Sequence, residues 1–256
     1  MKKRVLLLTL LLPLLPVSAQ FPDAAQIMNR SRELSLVGSM SGNISLSITE
    51  KSGASRSRTL AMTTKSFGNG LEKRFIKFME PADVRGTAML VIDNKDLSDE
   101  MWIYLPALKK TRRIVSSEKG KSFMSSEFSN ADMSSPTLAD FTNRHLSNSG
   151  TANQWIIESI PVDEDRADEY GYSKKVSYIN LSNYQVQKME FYNFDDELFK
   201  TIEIKSMHQT ADGKYMVKNM AASNLLTSRK SEILFSNIQE QVKVDDAFFT
   251  VQNLER

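Results

Sequence analysis

The residues able to do acid–base or metal chemistry are few. The chain has two histidines, His145 and His208, and no cysteine. Neither histidine has a second one at i+4, so a helical zinc pair is missing and a metal site would need a carboxylate-rich shell. No G-x-S-x-G nucleophile turn occurs, because Gly38-Ser39-Met40-Ser41-Gly42 carries Met at its centre. Gly68-Asn69-Gly70 lacks the third glycine of a dinucleotide loop and reads as a hairpin turn. The acidic run Asp163, Glu164, Asp165, Asp168 and Glu169 has Ala167 at a ligand position and no following Gly, so it reads as a solvated loop rather than a calcium loop. The expectation is therefore no catalytic residue, no metal and no cofactor. An envelope hydrolase with a dispersed Ser, His and Asp triad has no positive support.

Two other features suit binding rather than catalysis. Lys109, Lys110, Arg112 and Arg113 follow Pro106 at a hairpin. They are either a solvated face or a docking spot for lipid phosphates or an acidic partner. The chain also holds 13 Met and 13 Phe. Such side chains are usually plain core, but together they also make a soft wall that can adapt to varied acyl chains.

The elements that must position these residues begin after an address segment. Lys2, Lys3 and Arg4 precede the apolar run Val5–Leu15, and Val17-Ser18-Ala19 supplies a small-x-small site. Residues 1–19 read as a signal peptide cleaved between Ala19 and Gln20, since the run is short of the roughly 20 apolar residues of a membrane span. With no cysteine, the mature chain 20–256 has no lipidation site at its own start and no disulfide. Without three of the 33 basic residues, 30 face 31 acidic ones, a net charge near −1 that does not favour nucleic acid. A composition of 41% hydrophobic and 25% charged residues excludes a disordered tail or a disulfide scaffold.

Pro22–Leu36 reads as a helix with Asp23 as its cap. Beyond Gly38 the period changes to two: Met40, Ile44, Leu46 and Ile48 share one face of a strand. Similar runs follow at 56–64, 72–79, 87–92, 101–105 and 111–115. Six more lie at 154–160, 174–180, 186–193, 198–208, 215–223 and 232–238. Twelve candidate strands with short links and no strand–helix alternation predict one large antiparallel sheet in a single domain over 20–256. From Ser116 to about Ser149 the alternation fails, and Phe123, Met124, Phe128, Met133, Leu138 and Phe141 stud a polar segment. Such an insertion is a lid or a plug.

Three stretches then resemble a known family: Met101-Trp102-Ile103-Tyr104-Leu105-Pro106, Lys110-Thr111-Arg112-Arg113-Ile114, and Ser122-Phe123-Met124-Ser125-Ser126-Glu127-Phe128-Ser129. They look like the signature of outer-membrane lipoprotein-sorting homologues, the LolA/LolB-like periplasmic carriers, in the branch found beside RND-class export pumps. Phe78-Met79-Glu80-Pro81, Lys188-Met189-Glu190-Phe191-Tyr192 and Asp246-Ala247-Phe248-Phe249-Thr250 agree in order. One departure is Ser125, where the family usually has Gly; a positive φ there would strain a serine.

The resemblance implies a strongly curved, incomplete antiparallel barrel, closed by an N-terminal helix and a central lid. It implies a periplasmic carrier of lipids or lipoprotein acyl chains towards the outer membrane, without covalent chemistry and as a monomer. The cup would be lined by Ile44, Leu46, Ile48, Leu60, Met62, Phe78, Leu90, Trp102, Tyr104 and Phe191. Phe123, Met124, Phe128 and Met133 would form the lid, and Lys109, Lys110, Arg112 and Arg113 the docking face. Its protein partners would be an inner-membrane RND-type transporter or an outer-membrane acceptor. The competing reading uses the same fold as a periplasmic sensor or pump adaptor.

Overall fold

In the computed structural model, residues 22–95, 97–135, 137–146 and 153–256 are described; the signal peptide expected over 1–19 lies outside them. Helix α1 (Ala24–Ser35) starts where the sequence places it. Asp23 accepts from the Gln26 amide at 2.7 Å, and the Gln26 side chain accepts from the Asp23 amide at 3.1 Å, which closes a capping box. Six strands follow: β1 (Ser39–Thr49), β2 (Ser55–Gly68), β3 (Leu71–Glu80), β4 (Ala88–Asp93), β5 (Glu100–Leu105) and β6 (Lys110–Ile114). After a segment containing the short helix α2 (Ser116–Lys119) come β7 (Phe141–His145), β8 (Gln154–Pro161), α3 (Glu164–Tyr170) and β9 (Lys174–Asn180). The chain ends with β10 (Val186–Tyr192), β11 (Leu198–Gln209), β12 (Tyr215–Asn224), β13 (Lys230–Glu240) and two single 3₁₀ turns.

All thirteen strands form one antiparallel sheet that does not close, in the order β6-β5-β4-β3-β2-β1-β13-β12-β11-β10-β9-β8-β7. Each half is a meander, and the halves join where β1 pairs with β13 (Leu46 opposite Ile233). Laid flat, such a sheet would be about 60 Å wide. Yet Ile114 at one edge and Phe141 at the other belong to the same apolar cluster, with Leu46, Phe78, Phe128 and Phe191 between them. The sheet must therefore curl around this cluster, which fills its inner face.

Two smaller apolar clusters accompany it. Helix α1 packs Ala24 and Ile27 against Trp155, Ile157 and Ile179. The C-terminal turns lay Phe249 and Leu254 on Phe75, Ala88 and Leu90, on the outer face of β3 and β4. Among the described residues no helix is long and apolar enough to cross a membrane.

Two elements depart from the sequence reading. β7 was hidden in the non-alternating insertion because it is an edge strand with only Phe141 buried, so it carries no period-two signal. The acidic stretch 163–169 is not a solvated loop. Asp163 caps α3 by accepting from the Arg166 amide at 2.8 Å, and Glu169 turns inward to a buried pair with Lys119 at 2.5 Å. That pair joins α2 to α3, which approach through Gly120 and Gly171. A Cβ on Gly120 would lie 2.9 Å from Gly171 Cα, closer than side chains tolerate. Gly120→Ala is expected to lower stability by about 1–3 kcal/mol through this backbone clash, measured by urea unfolding of the two proteins.

Candidate functional site

The inner face is not filled to the end. A cavity of about 280 Å³ is walled by Ile44, Leu46, Leu60, Met62 and Ile76 on one half of the sheet, and by Met189, Ile204, Met220, Ile233 and Phe235 on the other. A neighbouring cavity of about 210 Å³ shares Ser35, Asp132, Ser134, Ser135, Val186, Met189 and Met220 with it. Six methionines (62, 133, 189, 207, 216 and 220) touch the first cavity, which makes its wall unusually deformable.

Of the residues expected to line a cup, Ile44, Leu46, Leu60 and Met62 bound the first cavity and Phe191 the second. Ile48 and Phe78 also point inward, but they pack within the core cluster beside the cavities. Leu90, Trp102 and Tyr104 sit on the opposite face, against the C-terminal segment. The reason is parity. Leu90 pairs with Trp102 while Met89 pairs with Ile103, and it is Met89, Met101 and Ile103 that join the inner cluster. Ala88 to Val91 are all buried, so alternation alone did not say which side faced in.

The segment between β6 and β7 lies over the inner face. Phe123 and Met133 bound the first cavity from above, the Phe123 ring sits 5.9 Å from that of Phe78, Phe128 is fully buried, and Met124 packs partly against the same cluster. Its irregular backbone needs hydrogen-bond donors, and arginines supply them. Arg58 donates to the Met124 carbonyl, Arg56 and Arg229 donate to that of Ser125 at 3.3 and 2.9 Å, Arg74 donates to Met133, and Arg32 donates to Ser135 at 3.1 Å. Met124 and Ser125 both have positive φ, +50° and +63°. Ser125 thus adopts the left-handed geometry that Gly would take without strain.

The arginines are themselves held by carboxylates. Arg32 pairs with Asp93 at 2.7 Å and Arg74 with Glu72 at 2.5 Å, all largely buried. Asp93 also accepts from the Ser135 amide at 2.7 Å. Burial, and then the charge of Asp93, push the Asp99 carboxyl up to about 7; burial raises Glu72 as well. On the far wall Lys200 pairs with Asp132 at 2.9 Å, within the segment over the cavity. Lys175, beside the second cavity, is lowered to about 8, mainly by burial. These inward polar groups went unseen in the sequence, where a charge within a strand looks solvated whichever side it takes.

The basic hairpin divides. Lys109, Lys110 and Arg113 are exposed, whereas Arg112 pairs with Glu118 at 2.6 Å. His145 contacts the Pro22 carbonyl and His208 pairs with Glu240; neither lines a cavity. Among the described residues no cluster of three His, Asp or Glu could hold a metal ion.

A family model described as an uncharacterized protein matches residues 70–256. No curated protein matches the chain. A Vibrio parahaemolyticus domain named for outer membrane lipoprotein sorting is 27% identical, covering 91% of this chain and 98% of that one, with a TM-score of 0.82. A DUF1329 family protein from Desulfovibrio piger is 26% identical, over 90% and 97%, with a TM-score of 0.80. A LolA superfamily protein from Nitrosomonas europaea has the same fold, with 20% identity over 90% and 98% and a TM-score of 0.68.

The raised Asp99 carboxyl predicts a pH dependence. Between about 4 and 7 the folded chain keeps a proton that the unfolded chain releases, so stability falls as pH rises through that window. Unfolding free energy at pH 5 is expected to exceed that at pH 7.5 by about 1–3 kcal/mol. Urea titrations of Asp99→Asn should show a clearly smaller difference.

Proposed function

We propose that this chain, which belongs to the family matched over residues 70–256 and has the LolA-like fold, is an exported periplasmic carrier of lipid or lipoprotein acyl chains. Residues 1–19 would be removed as a signal peptide, leaving 20–256 as a single carrier domain, monomeric and not lipidated. The observation that carries this reading is the methionine-rich inner cavity beneath the segment containing Phe123 and Met133. Each CH₂ buried there contributes about 0.8 kcal/mol, so one acyl chain drives capture without covalent chemistry. Release needs the covering segment to lift or a tighter acceptor to compete. Ile44, Leu46, Leu60, Met62 and Phe191 would touch the chain, with Phe123, Met124, Phe128 and Met133 as its cover.

Lipid extraction and native mass spectrometry of protein purified from a cell envelope test this. Wild type should carry lipid, whereas Met189→Trp, which puts an indole between the two cavities that Met189 lines, should lose it by about tenfold while remaining folded by circular dichroism. Wild-type protein that is consistently free of lipid would sink the proposal.

A second reading, a docking or adaptor role towards an inner-membrane RND-type pump or an outer-membrane acceptor, draws on the basic hairpin. Exposed Leu108 stands beside Lys109, Lys110 and Arg113, which carry no ion pair among the described residues. Such a mixed apolar and cationic tip suits an acidic partner surface. The double change Lys109→Glu/Lys110→Glu should cut capture of a membrane partner by about tenfold at low salt and leave bound lipid unchanged. A binding assay run at two salt concentrations reads both effects.

A further inference from the structure

The second cavity is lined by a lysine that has no ion pair of its own among the described residues. Lys175 and Ser177 lie two apart on β9, so both point to the inner face, where Lys175 stands opposite Phe191 and Ser177 opposite Met189. Both line the second cavity. Lys175 is 5% exposed and has no carboxylate within 4.0 Å among the described residues; its ammonium sits 5.3 Å from the Phe141 ring. The Ser177 hydroxyl is fully buried and has no hydrogen-bond partner. The nearby charges are already matched: Lys200 to Asp132 and Arg32 to Asp93.

A buried ammonium and a buried hydroxyl left unmatched are costly unless something answers them. An apolar cavity adjoins this polar pair through Met189 and Met220. We infer that the second cavity is a head-group site for an anionic amphiphile: a carboxylate or phosphate accepts hydrogen bonds from Lys175 and Ser177 while its alkyl chain occupies the methionine-lined cavity. This rests on the carrier reading and narrows its cargo from any lipid to one whose head carries an oxyanion. Asp132 would repel that head, but its pairing with Lys200 offsets its charge. Burial already holds the Lys175 pKa down to about 8, and an oxyanion would raise it again.

The test compares ligands of one chain length on delipidated protein, below their micelle concentrations. Oleate should bind at least about tenfold more tightly than oleyl alcohol, as a charge-assisted hydrogen bond requires, and Lys175→Met should remove that preference while keeping oleyl alcohol affinity. Ser177→Ala, a smaller change that should fold if the first variant does not, should reduce the preference about threefold. Equal binding of oleate and oleyl alcohol to wild type would overturn the head-group site and leave the carrier standing. Failure of both ligands to bind would instead remove the carrier reading, and the head-group site with it. A third arm uses dodecyl phosphate and inorganic phosphate. Inorganic phosphate binding as tightly as the alkyl ester would mean a free-anion site and overturn the lipid assignment.

Discussion

The connection from β6 to β7 governs this structure, because the two strands it joins are the opposite edges of one sheet. A chain leaving one edge and entering the other must either run around the outside or cross the inner face. Its apolar residues decide the route: Phe123, Phe128, Ala131 and Met133 are buried in the inner cluster, and laying them inward removes that surface from water. The sheet curls with it, since the buried residues of this segment pack against both halves of the inner face at once. α3 fastens one end through Lys119, Glu169 and the Gly120–Gly171 approach, and the other through Arg166, which pairs with Asp140 at 3.3 Å.

A segment without regular secondary structure brings its own difficulty. Its carbonyls are taken from water without a ladder to receive them. Arg32, Arg56, Arg58, Arg74 and Arg229 answer them from several elements, so the sheet holds the segment mainly by side chains rather than by strand pairing. Contacts of that kind can break and re-form without unravelling the sheet. This gives a cover over an apolar cavity a physical basis for opening: it has few ladder bonds to lose and strained backbone at Met124 and Ser125.

The polar groups inside the cup are placed unevenly. On the β2–β4 side Arg32, Glu72, Arg74 and Asp93 form mutually matched pairs that anchor the cover. On the β9–β11 side Lys200 is matched by Asp132 while Lys175 and Ser177 face the second cavity unmatched. The first group has a structural role; the second resembles an unfinished hydrogen-bond set. That asymmetry, more than the size of the cavities, sets the two sides of the inner face apart.

Much of the fold was legible in the residues. The Asp23 cap, the clean alternation of Ile44, Leu46 and Ile48, and the turn glycines at 68 and 70 are local signals, set by backbone sterics and period, and helix and strands stand where those signals put them. The failure of alternation after Ser116 marked the covering segment for the same reason. What local pattern could not carry was sidedness where both faces are buried. Ala88 to Val91 and Trp102 to Tyr104 read alike from either side, and only the C-terminal turns, packed from about 150 residues away, claimed Leu90, Trp102 and Tyr104 for the outer face. The inward charges were equally silent, since a lysine in a strand looks the same in sequence whether it meets water or a cavity. Sequence determined every strand but β7, their order of appearance and the segment that covers them. The tertiary structure decided which side is the inside, because that depends on how distant segments share the apolar surface between them.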